Sequence, residues 1–291
     1  MTTATDHWAA PNLKGKVAVV TGASRGAGRG IATVLGQARA TVYVTGRNSE
    51  TEGYPRNFPW TIDLTAAEVT ARGGDGIAVV CDHTDPAQVG RLFRRVAKDE
   101  GRLDLLVNNV WGGYERNERG LPPGPFWKQP LWSWDTMFEA GLKAHFLSTY
   151  SALPLMLRRR RGLIVNTIAW DRGKYLLNLY YDVAKQAIRR MAYGLSLELR
   201  KYRISAVALA PGFMRTELVM EAHRKTPFDL RRTESTEYIG RAVASLAADG
   251  KVLRKSGEVL TVGQLAKEYG FTDVDGRAIP AFRIPPKFAV D

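Results

Sequence analysis

The chain has 291 residues, of which 45% are hydrophobic, and a formal net charge of +13 at pH 7. This length and composition predict a folded protein with a sizeable core and exclude wholesale disorder. A single cysteine, Cys81, excludes an intramolecular disulfide framework and favours a reducing compartment. No apolar run approaches the ~20 residues of a membrane helix, and no signal peptide is visible, so a soluble cytoplasmic protein without membrane contact is predicted.

The positive charge raises the question of a nucleic-acid partner. The basic residues are scattered, and the densest run, at residues 158–161, lies between a predicted helix and a predicted strand. Cations at a helix end complement the helix dipole, so a solvated helix end explains this run. No nucleic-acid-binding motif accompanies the charge, and nucleic acid is not expected as a partner. A basic excess also suits a phosphorylated cofactor or an anionic substrate.

The first predicted unit is a strand, a glycine turn and a helix. Residues 1–14 are predicted to be an N-terminal leader, and residues 15–291 a single domain. An apolar run predicts a buried strand over residues 16–21, and the spacing of apolar residues predicts a helix that ends near residue 38. The turn between them, residues 21–28 (TGASRGAG), lets the backbone approach a pyrophosphate that the helix N-terminus would bind.

Strands and helices are then predicted to alternate as far as residue 262. Further strands are predicted at 41–46, 77–81, 103–107, 163–168, 204–209 and 258–262, and further helices at 63–71, 86–100, 134–158, 180–201 and 237–248. Two segments, at about 111–131 and 213–236, are predicted to be substrate loops, the second of them mobile, and the tail is predicted to be mostly irregular. This alternation predicts an α/β fold: a single Rossmann-like, doubly wound parallel sheet of about seven strands with helices on both faces.

Tyr181 and Lys185 are the candidate catalytic residues. They are four residues apart, so a helix places them on one face. A phenol titrates near ~10, and a nearby ammonium lowers that pKa because it favours the phenolate. Tyr180 is the weaker candidate, since Ala184 lies four residues after it. An exposed Tyr/Lys pair without a chemical role is the alternative interpretation.

The end of the second predicted strand indicates which cofactor is bound. It reads Thr45-Gly46-Arg47, without the carboxylate that NAD-binding sites often use to hold the ribose. Arg25 and Arg47 could both reach a 2′-phosphate, to which a guanidinium donates charge-assisted hydrogen bonds. NADP(H) is therefore the predicted cofactor, and two surface arginines without a ligand are the alternative. No metal site is predicted.

Together these motifs resemble the short-chain dehydrogenase/reductase family over about residues 15–262. The resemblance is carried by residues 21–28, Asp82 after the third strand, Asn108-Asn109 after the fourth, the Tyr181/Lys185 pair and residues 211–216 (PGFMRT). It implies that Tyr181 is the general acid or base toward a carbonyl or alcohol oxygen, while Lys185 lowers the tyrosine pKa and holds the nicotinamide ribose. It also implies a homodimer or homotetramer.

The resemblance also implies a set of cofactor contacts. Asp82 would bind the adenine, Asn108 would lie along the cofactor, and Thr216 would approach the carboxamide. The full predicted set is Gly22, Ser24, Arg25, Gly26, Ala27, Gly28, Arg47, Asp82, His83, Asn108, Tyr181, Lys185, Pro211, Gly212 and Thr216.

One departure from the family pattern concerns its catalytic serine, which normally lies about thirteen residues before the tyrosine. Here that residue is Ile168, followed by Ala169. Thr167 is expected to face the other way, because side chains alternate along a strand. Asp171, Tyr175 or a substrate hydroxyl are candidate substitutes. Loss of such a donor costs roughly 10²–10³ in rate if nothing replaces it.

A second departure is in the helix before this strand. Gly141 stands where many family members carry an asparagine that supports a proton-relay water. His145, one turn later, is predicted to be a packed helix residue rather than a relay.

The predicted function is NADPH-dependent reduction of the carbonyl of a small metabolite by hydride transfer. Aromatic residues favour an aromatic substrate (Trp111, Tyr114, Phe126, Trp127 and Trp170), and basic residues favour an anionic one (His223, Arg224, Lys225, Arg231 and Arg232). Ordinary packing and a solvated basic surface are the alternatives. The missing serine keeps other functions open: imine or alkene reduction, a non-redox elimination, isomerisation or cyclisation, or a regulatory protein that binds NADPH.

Overall fold

In the part of the chain that the structure describes, seven parallel strands form one sheet in the order β3-β2-β1-β4-β5-β6-β7. The computed structural model describes residues 8–51, 59–113, 124–176 and 178–285. The strands are β1 (Val17–Thr21), β2 (Thr41–Gly46), β3 (Asp75–Val80), β4 (Leu105–Asn108), β5 (Gly162–Thr167), β6 (Ile204–Ala210) and β7 (Val259–Thr261). This confirms the predicted Rossmann-like α/β fold.

Helices connect the strands on both faces of the sheet. They are α1 (Gly26–Gln37), α2 (Ile62–Ala71), α3 (Pro86–Glu100), α4 (Trp132–Trp134), α5 (Ala144–Arg159), α6 (Leu179–Leu199), α7 (Glu217–Lys225), α8 (Thr236–Ala248) and α9 (Val262–Tyr269). A π-helical segment, Asp135–Lys143, joins α4 to α5, and 3-10 turns occur at Phe126–Lys128, Arg200–Tyr202 and Val252–Lys255. Among the described residues, no helix has the length and apolar character needed to cross a membrane.

The core has two layers because side chains alternate across the sheet. In β1, Ala18 and Val20 face α1, α8 and α9, whereas Val17 and Val19 face α3 and α5. Both faces of the central strands are buried, as expected for a parallel sheet covered by helices. Because the strands are parallel, their carboxyl ends all lie on the same side of the sheet. Doubly wound sheets bind ligands at this side, here formed by β1, β2, β4, β5 and β6.

Two helices were not predicted. α7 lies in the segment 213–236 that was predicted to be a mobile loop, and α9 lies in the tail that was predicted to be irregular. α7 is short and lies in a segment of mixed charged and apolar residues that was interpreted as a loop, although Thr216 caps its N-terminus. α9 begins directly after β7 with a capping box formed by Thr261 and Gln264, where the sequence was interpreted as the end of a strand.

The predicted helix 134–158 is π-helical over Asp135–Lys143 and α-helical only over Ala144–Arg159. The other differences concern boundaries. β3 begins at Asp75 instead of residue 77 because Gly76 pairs with Val42, and a side chain at Gly76 would overlap the Ala66 carbonyl. Several predicted features lie outside the described residues: residues 1–7 of the leader, 114–123 of the first substrate loop, including Tyr114, and 286–291 of the tail.

Candidate active site

The glycine turn after β1 is tightly folded and braced from β4. Gly22 and Gly26 have φ values of +65° and +58°, which favour glycine. A Cβ on Gly28 would lie 2.3 Å from the Gly22 carbonyl oxygen, and one on Gly22 would lie 2.8 Å from the Val110 Cα. Asn109 donates from Nδ2 to the carbonyls of Thr21 and Gly22. The glycines therefore let the backbone of the turn pack closely at the N-terminus of α1, an arrangement that fits a dinucleotide phosphate.

A cleft runs from this turn along the carboxyl ends of β2 and β3. Its lining includes six of the predicted cofactor contacts, namely Gly22, Ser24, Arg25, Arg47, Asp82 and His83. Arg47 Nη1 lies 3.8 Å from Asp82 Oδ2, and both side chains are about 30% exposed. Such a pair contributes about 0–1 kcal/mol, so a phosphate could compete for the guanidinium. Ala27 packs against the core below the turn.

Two predicted cofactor contacts have buried side chains that bind other parts of the protein. The His83 ring bridges Thr45 and Ser148 at 2.8 and 2.9 Å, and burial lowers its pKa to about 4. Asn108 donates from Nδ2 to Thr149 and Asn166, each at 2.9 Å. Both residues are almost inaccessible, so a nucleotide in the cleft would reach the His83 and Asn108 main chains before their side chains.

Tyr181 and Lys185 lie on α6, one turn apart, at the carboxyl end of β5. Asn178 caps the helix and accepts a hydrogen bond from the Tyr181 backbone N–H at 3.0 Å. Lys185 is 7% exposed, and burial lowers its pKa to about 7. Its Nζ lies 5.7 Å from the Tyr181 ring centroid. The two predicted catalytic side chains are therefore brought together, with the lysine in a dry environment.

The aromatic ring of Trp111 lies beside this pair. Lys185 Nζ is 3.8 Å from the centroid of the indole, and the Tyr181 ring meets the indole edge-to-face at 5.4 Å. His145, on α5, is fully buried, and its Nε2 forms a hydrogen bond with the Val110 carbonyl oxygen. Because that carbonyl is an acceptor, the ring donates at Nε2, and burial lowers the His145 pKa to about 3. His145 is a packed, neutral helix residue, as predicted.

No hydroxyl occupies the place of the family serine. Ile168 is 3% exposed and packs in an apolar cluster with Ile188 and Ala208. Thr167 points the other way and donates from Oγ1 to the Asn108 carbonyl at 3.3 Å. The structure thus contains no bulge that turns the threonine hydroxyl into the serine position.

Asp171, one candidate substitute, is bound by residues near the end of the described chain. Its Oδ2 accepts the Ile284 backbone N–H at 2.8 Å, and its Oδ1 lies 3.3 Å from Arg283 Nη1. Phe282 also lies against Gly212, since its Cβ is 3.8 Å from where a Gly212 Cβ would be. Residues 282–284 therefore connect the β5–α6 loop to the turn after β6. Tyr175, the other candidate, is 38% exposed, and burial raises its pKa.

The turn after β6 brings three further predicted contacts to the site. Pro211 and Gly212 follow β6, and Thr216 is the N-cap of α7, with its methyl 3.6 Å from where a Gly26 Cβ would lie. Glu217 was not predicted: its Oε2 accepts the Gly26 backbone N–H at 2.7 Å. An acidic residue in the first turn of a helix could have indicated its role, but α7 itself was not predicted.

Glu234 is a second residue that the sequence analysis missed. It is 1% exposed, and its Oε2 lies 2.7 Å from where a Gly212 Cβ would be. Burial, with a smaller contribution from Asp273, raises its pKa to about 8. Its Oε1 has no hydrogen-bond partner among the described residues. A single glutamate in a charged segment carries no sequence signal for such burial.

The described residues that were proposed to select the substrate differ in exposure and in their partners. Trp127 is 72% exposed and Phe126 46%, and these two rings contact each other edge-to-face. Trp170 packs against the Arg189 guanidinium at 5.3 Å. On the basic segment, Lys225 pairs with Glu221 and Arg231 pairs with Asp229. The aromatic and anionic substrate predictions therefore stay predictions.

Comparison with known proteins gives consistent matches. The family model described as short chain dehydrogenase matches residues 16–227. A curated relative, dehydrogenase/reductase SDR family member 1 of Mus musculus, is 38% identical over 279 residues, which cover 92% of this chain and 86% of the relative.

Solved structures show the same fold. A short chain dehydrogenase from Mycobacterium thermoresistibile superposes with a TM-score of 0.79 at 23% identity, covering 95% of this chain and 99% of that one. A metagenomic short-chain oxidoreductase in complex with NADP superposes with a TM-score of 0.65 at 26% identity, covering 86% of this chain and 96% of that one.

Proposed function

The chain belongs to the short-chain dehydrogenase family, and on that premise we propose that it is an NADPH-dependent oxidoreductase that reduces the carbonyl group of a small metabolite. The observation that carries this proposal is the Tyr181/Lys185 pair on α6, beside a glycine turn that fits a dinucleotide. In this proposal Tyr181 is the general acid. A small aromatic or anionic metabolite, a cytoplasmic location and a homodimer or homotetramer are parts of the same proposal.

In the proposed mechanism, each residue acts on a defined atom. The nicotinamide supplies a hydride to the carbonyl carbon when the cofactor is bound. Tyr181 donates its hydroxyl proton to the carbonyl oxygen, and this transfer leaves a phenolate. Lys185, when protonated, stabilises the phenolate and so favours proton release. The low exposure of Lys185 strengthens this effect because water screens the ammonium less.

The cofactor proposal rests on the cationic groups of the cleft. Arg25 and Arg47 line it, and β2 ends in Thr45 and Gly46 without a carboxylate. Asp82, which lies 3.8 Å from Arg47 Nη1, would bind the adenine, as the family resemblance implies. The metagenomic structural neighbour that binds NADP is consistent with this preference.

Substitution of the tyrosine tests the function. We expect Tyr181→Phe to lower the rate of NADPH oxidation at least 100-fold, because general acid catalysis contributes 10²–10⁴. The assay follows loss of the reduced nicotinamide absorbance with a panel of aromatic, aliphatic and anionic ketones and aldehydes. Tyr180→Phe is the matched control, since Tyr180 precedes it on the same helix and should retain activity. Equal turnover in the two variants would contradict the role of Tyr181.

The buried Ile168 favours a second candidate function. An apolar residue in the serine position offers no hydrogen bond to a carbonyl oxygen. Reduction of an imine or activated alkene, a non-redox elimination, isomerisation or cyclisation, or NADPH sensing without turnover would depend less on that hydrogen bond. Adding imines and enones to the same panel separates the candidates. Reduction of ordinary ketones as the fastest reaction would exclude this second group.

A further inference from the structure

Trp111 and Gly141 fit each other. Gly141 lies in the π-helical segment, and a Cβ on it would be 2.7 Å from Trp111 Cζ3 and 2.9 Å from Cε3. Carbon atoms do not approach this closely, so a larger residue at 141 would displace the indole. π-Helical segments often occur at functional sites, where the wider turn moves a backbone segment. Here the segment leaves the room that the indole fills.

The same indole contacts both members of the catalytic pair. Its face covers the Lys185 ammonium at 3.8 Å, and its edge meets the Tyr181 ring at 5.4 Å. Few other charges act on Lys185: His145 is buried and neutral, and no carboxylate in the described part of the chain forms an ion pair with the lysine. Trp111 is therefore a close neighbour of the ammonium, and its ring face covers it.

We propose that Trp111 is a positioning residue, which holds the Lys185 ammonium against the face of its indole and orients the Tyr181 ring with its edge. This inference rests on the proposed roles of Tyr181 and Lys185 and adds how the pair is held. It also means that an asparagine side chain at residue 141 would overlap the indole.

Trp111 acts on the lysine in two opposing ways. It excludes water from the ammonium, which lowers the lysine pKa, and burial indeed lowers that pKa to about 7. Its π-electrons attract the cation, which raises the pKa. A variant that loses the π-electrons but still excludes water should therefore lower the lysine pKa, and a variant that admits water should raise it. A residue that only fills space would not produce these opposite shifts.

The test is an NMR titration of Lys185 in the free protein from about pH 5 to about pH 11.5, a range that includes the ordinary lysine pKa. It follows the ¹³Cε resonance of labelled lysine, assigned by its loss in Lys185→Arg. Trp111→Leu keeps an apolar cover without a π face, so we expect the midpoint to fall by about one unit. Trp111→Gly admits water, so the midpoint should rise toward the ordinary lysine value of about 10.4. Trp111→Phe keeps a π face and should stay near the wild type.

Trp134→Leu is the control, because Trp134 is half exposed and stacks on Phe138 instead of Lys185. Unchanged midpoints in all three Trp111 variants would overturn the proposal, and so would a rise in Trp111→Leu. If Trp111→Gly does not fold, the contrast between the leucine and phenylalanine variants decides alone. The titration needs neither cofactor nor turnover, so its failure is distinct from the failure of the Tyr181→Phe experiment.

Discussion

At the scale of single residues, the ion pair between Arg47 and Asp82 shows how the cleft can serve a phosphorylated cofactor. The 3.8 Å separation and partial exposure make the pair weak. A 2′-phosphate would offer the guanidinium a stronger, charge-assisted hydrogen bond. Asp82 keeps its contacts to the Thr84 backbone and hydroxyl when Arg47 turns away. Arg47 can therefore change partners without leaving a carboxylate unpaired.

We expect Arg47→Asp to weaken NADPH binding about 10- to 100-fold, because hydrogen bonds to charged groups contribute about 1.5–3 kcal/mol. NADH, which lacks the 2′-phosphate, should lose much less affinity, so the preference should move toward NADH. Dissociation constants for both cofactors, measured by calorimetry, check this expectation. Arg94→Asp on the exposed side of α3 makes the same charge change away from the cleft and should leave both constants unchanged. Equal affinity of the wild type for the two cofactors would contradict the role of Arg47.

The residues of the site differ in how far the sequence could predict them. Tyr181 and Lys185 were predictable because helical spacing alone places them on one face. The side-chain contacts of His83 and Asn108 could not be predicted in this way, since their partners are 38 to 65 positions away in the chain. Glu234 was missed for the same reason: Gly212 and Asp273, which act on its carboxyl group, are brought to it only in the folded chain.

At the scale of elements, α1 and α8 pack with their backbones in contact. A Cβ on Gly240 would lie 2.6 Å from the Gly30 carbonyl oxygen, and one on Gly30 would lie 2.0 Å from the Thr236 carbonyl oxygen. Two glycines thus let the helices approach more closely than side chains allow. Because α1 starts at the glycine turn, this contact fixes the position of that turn.

We expect Gly240→Ala to lower the free energy of unfolding by about 1–3 kcal/mol, since the added methyl overlaps backbone that cannot move aside. Gly90→Ala in α3 is the matched control. Its Cβ would meet only the mobile end of Arg94, at 3.3 Å, so the better helix propensity of alanine should raise stability by up to about 1 kcal/mol. Urea unfolding monitored by circular dichroism measures both changes. A stabilised Gly240→Ala would show that the helices can separate at little cost.

The elements were predicted best where hydrophobic periodicity is strong. The strands around the glycine turn and helix α3, with its Asp85 cap and Pro86 start, follow the predicted boundaries closely. α7 was missed because its cap residue, Thr216, was interpreted as part of a family motif. α9 was missed because its cap residue, Thr261, was interpreted as part of a strand. Local capping signals are short, and a neighbouring assignment easily masks them.

At the scale of the whole molecule, α5 and α6 expose apolar side chains. Phe146 and Tyr150 lie one turn apart on α5, and Tyr193 and Leu197 lie one turn apart on α6. Tyr150 is 81% exposed and Leu197 61%. Exposed apolar patches of this kind often mark interfaces, which agrees with the homodimer or homotetramer proposed from the family resemblance.

We expect the double variant Tyr150→Asp/Leu197→Asp to have a smaller native mass than the wild type in sedimentation velocity, because a charge buried without a partner opposes association. Leu64→Asp, at an exposed leucine on α2, should leave the mass unchanged. A wild type that is already monomeric at micromolar concentration would contradict the proposed oligomer. The same mass for wild type and double variant would place the interface elsewhere.

The contact between Glu217 and the N-terminus of α1 has a consequence for the order in which ligands bind. The carboxylate accepts the Gly26 N–H that a cofactor phosphate would need. α7, which carries Glu217, has no fully buried residue, so its packing opposes movement less than that of a core helix when a phosphate displaces the carboxylate. If α7 then settles over the second substrate, the kinetics would be compulsory-order, with the nucleotide first to arrive and last to leave.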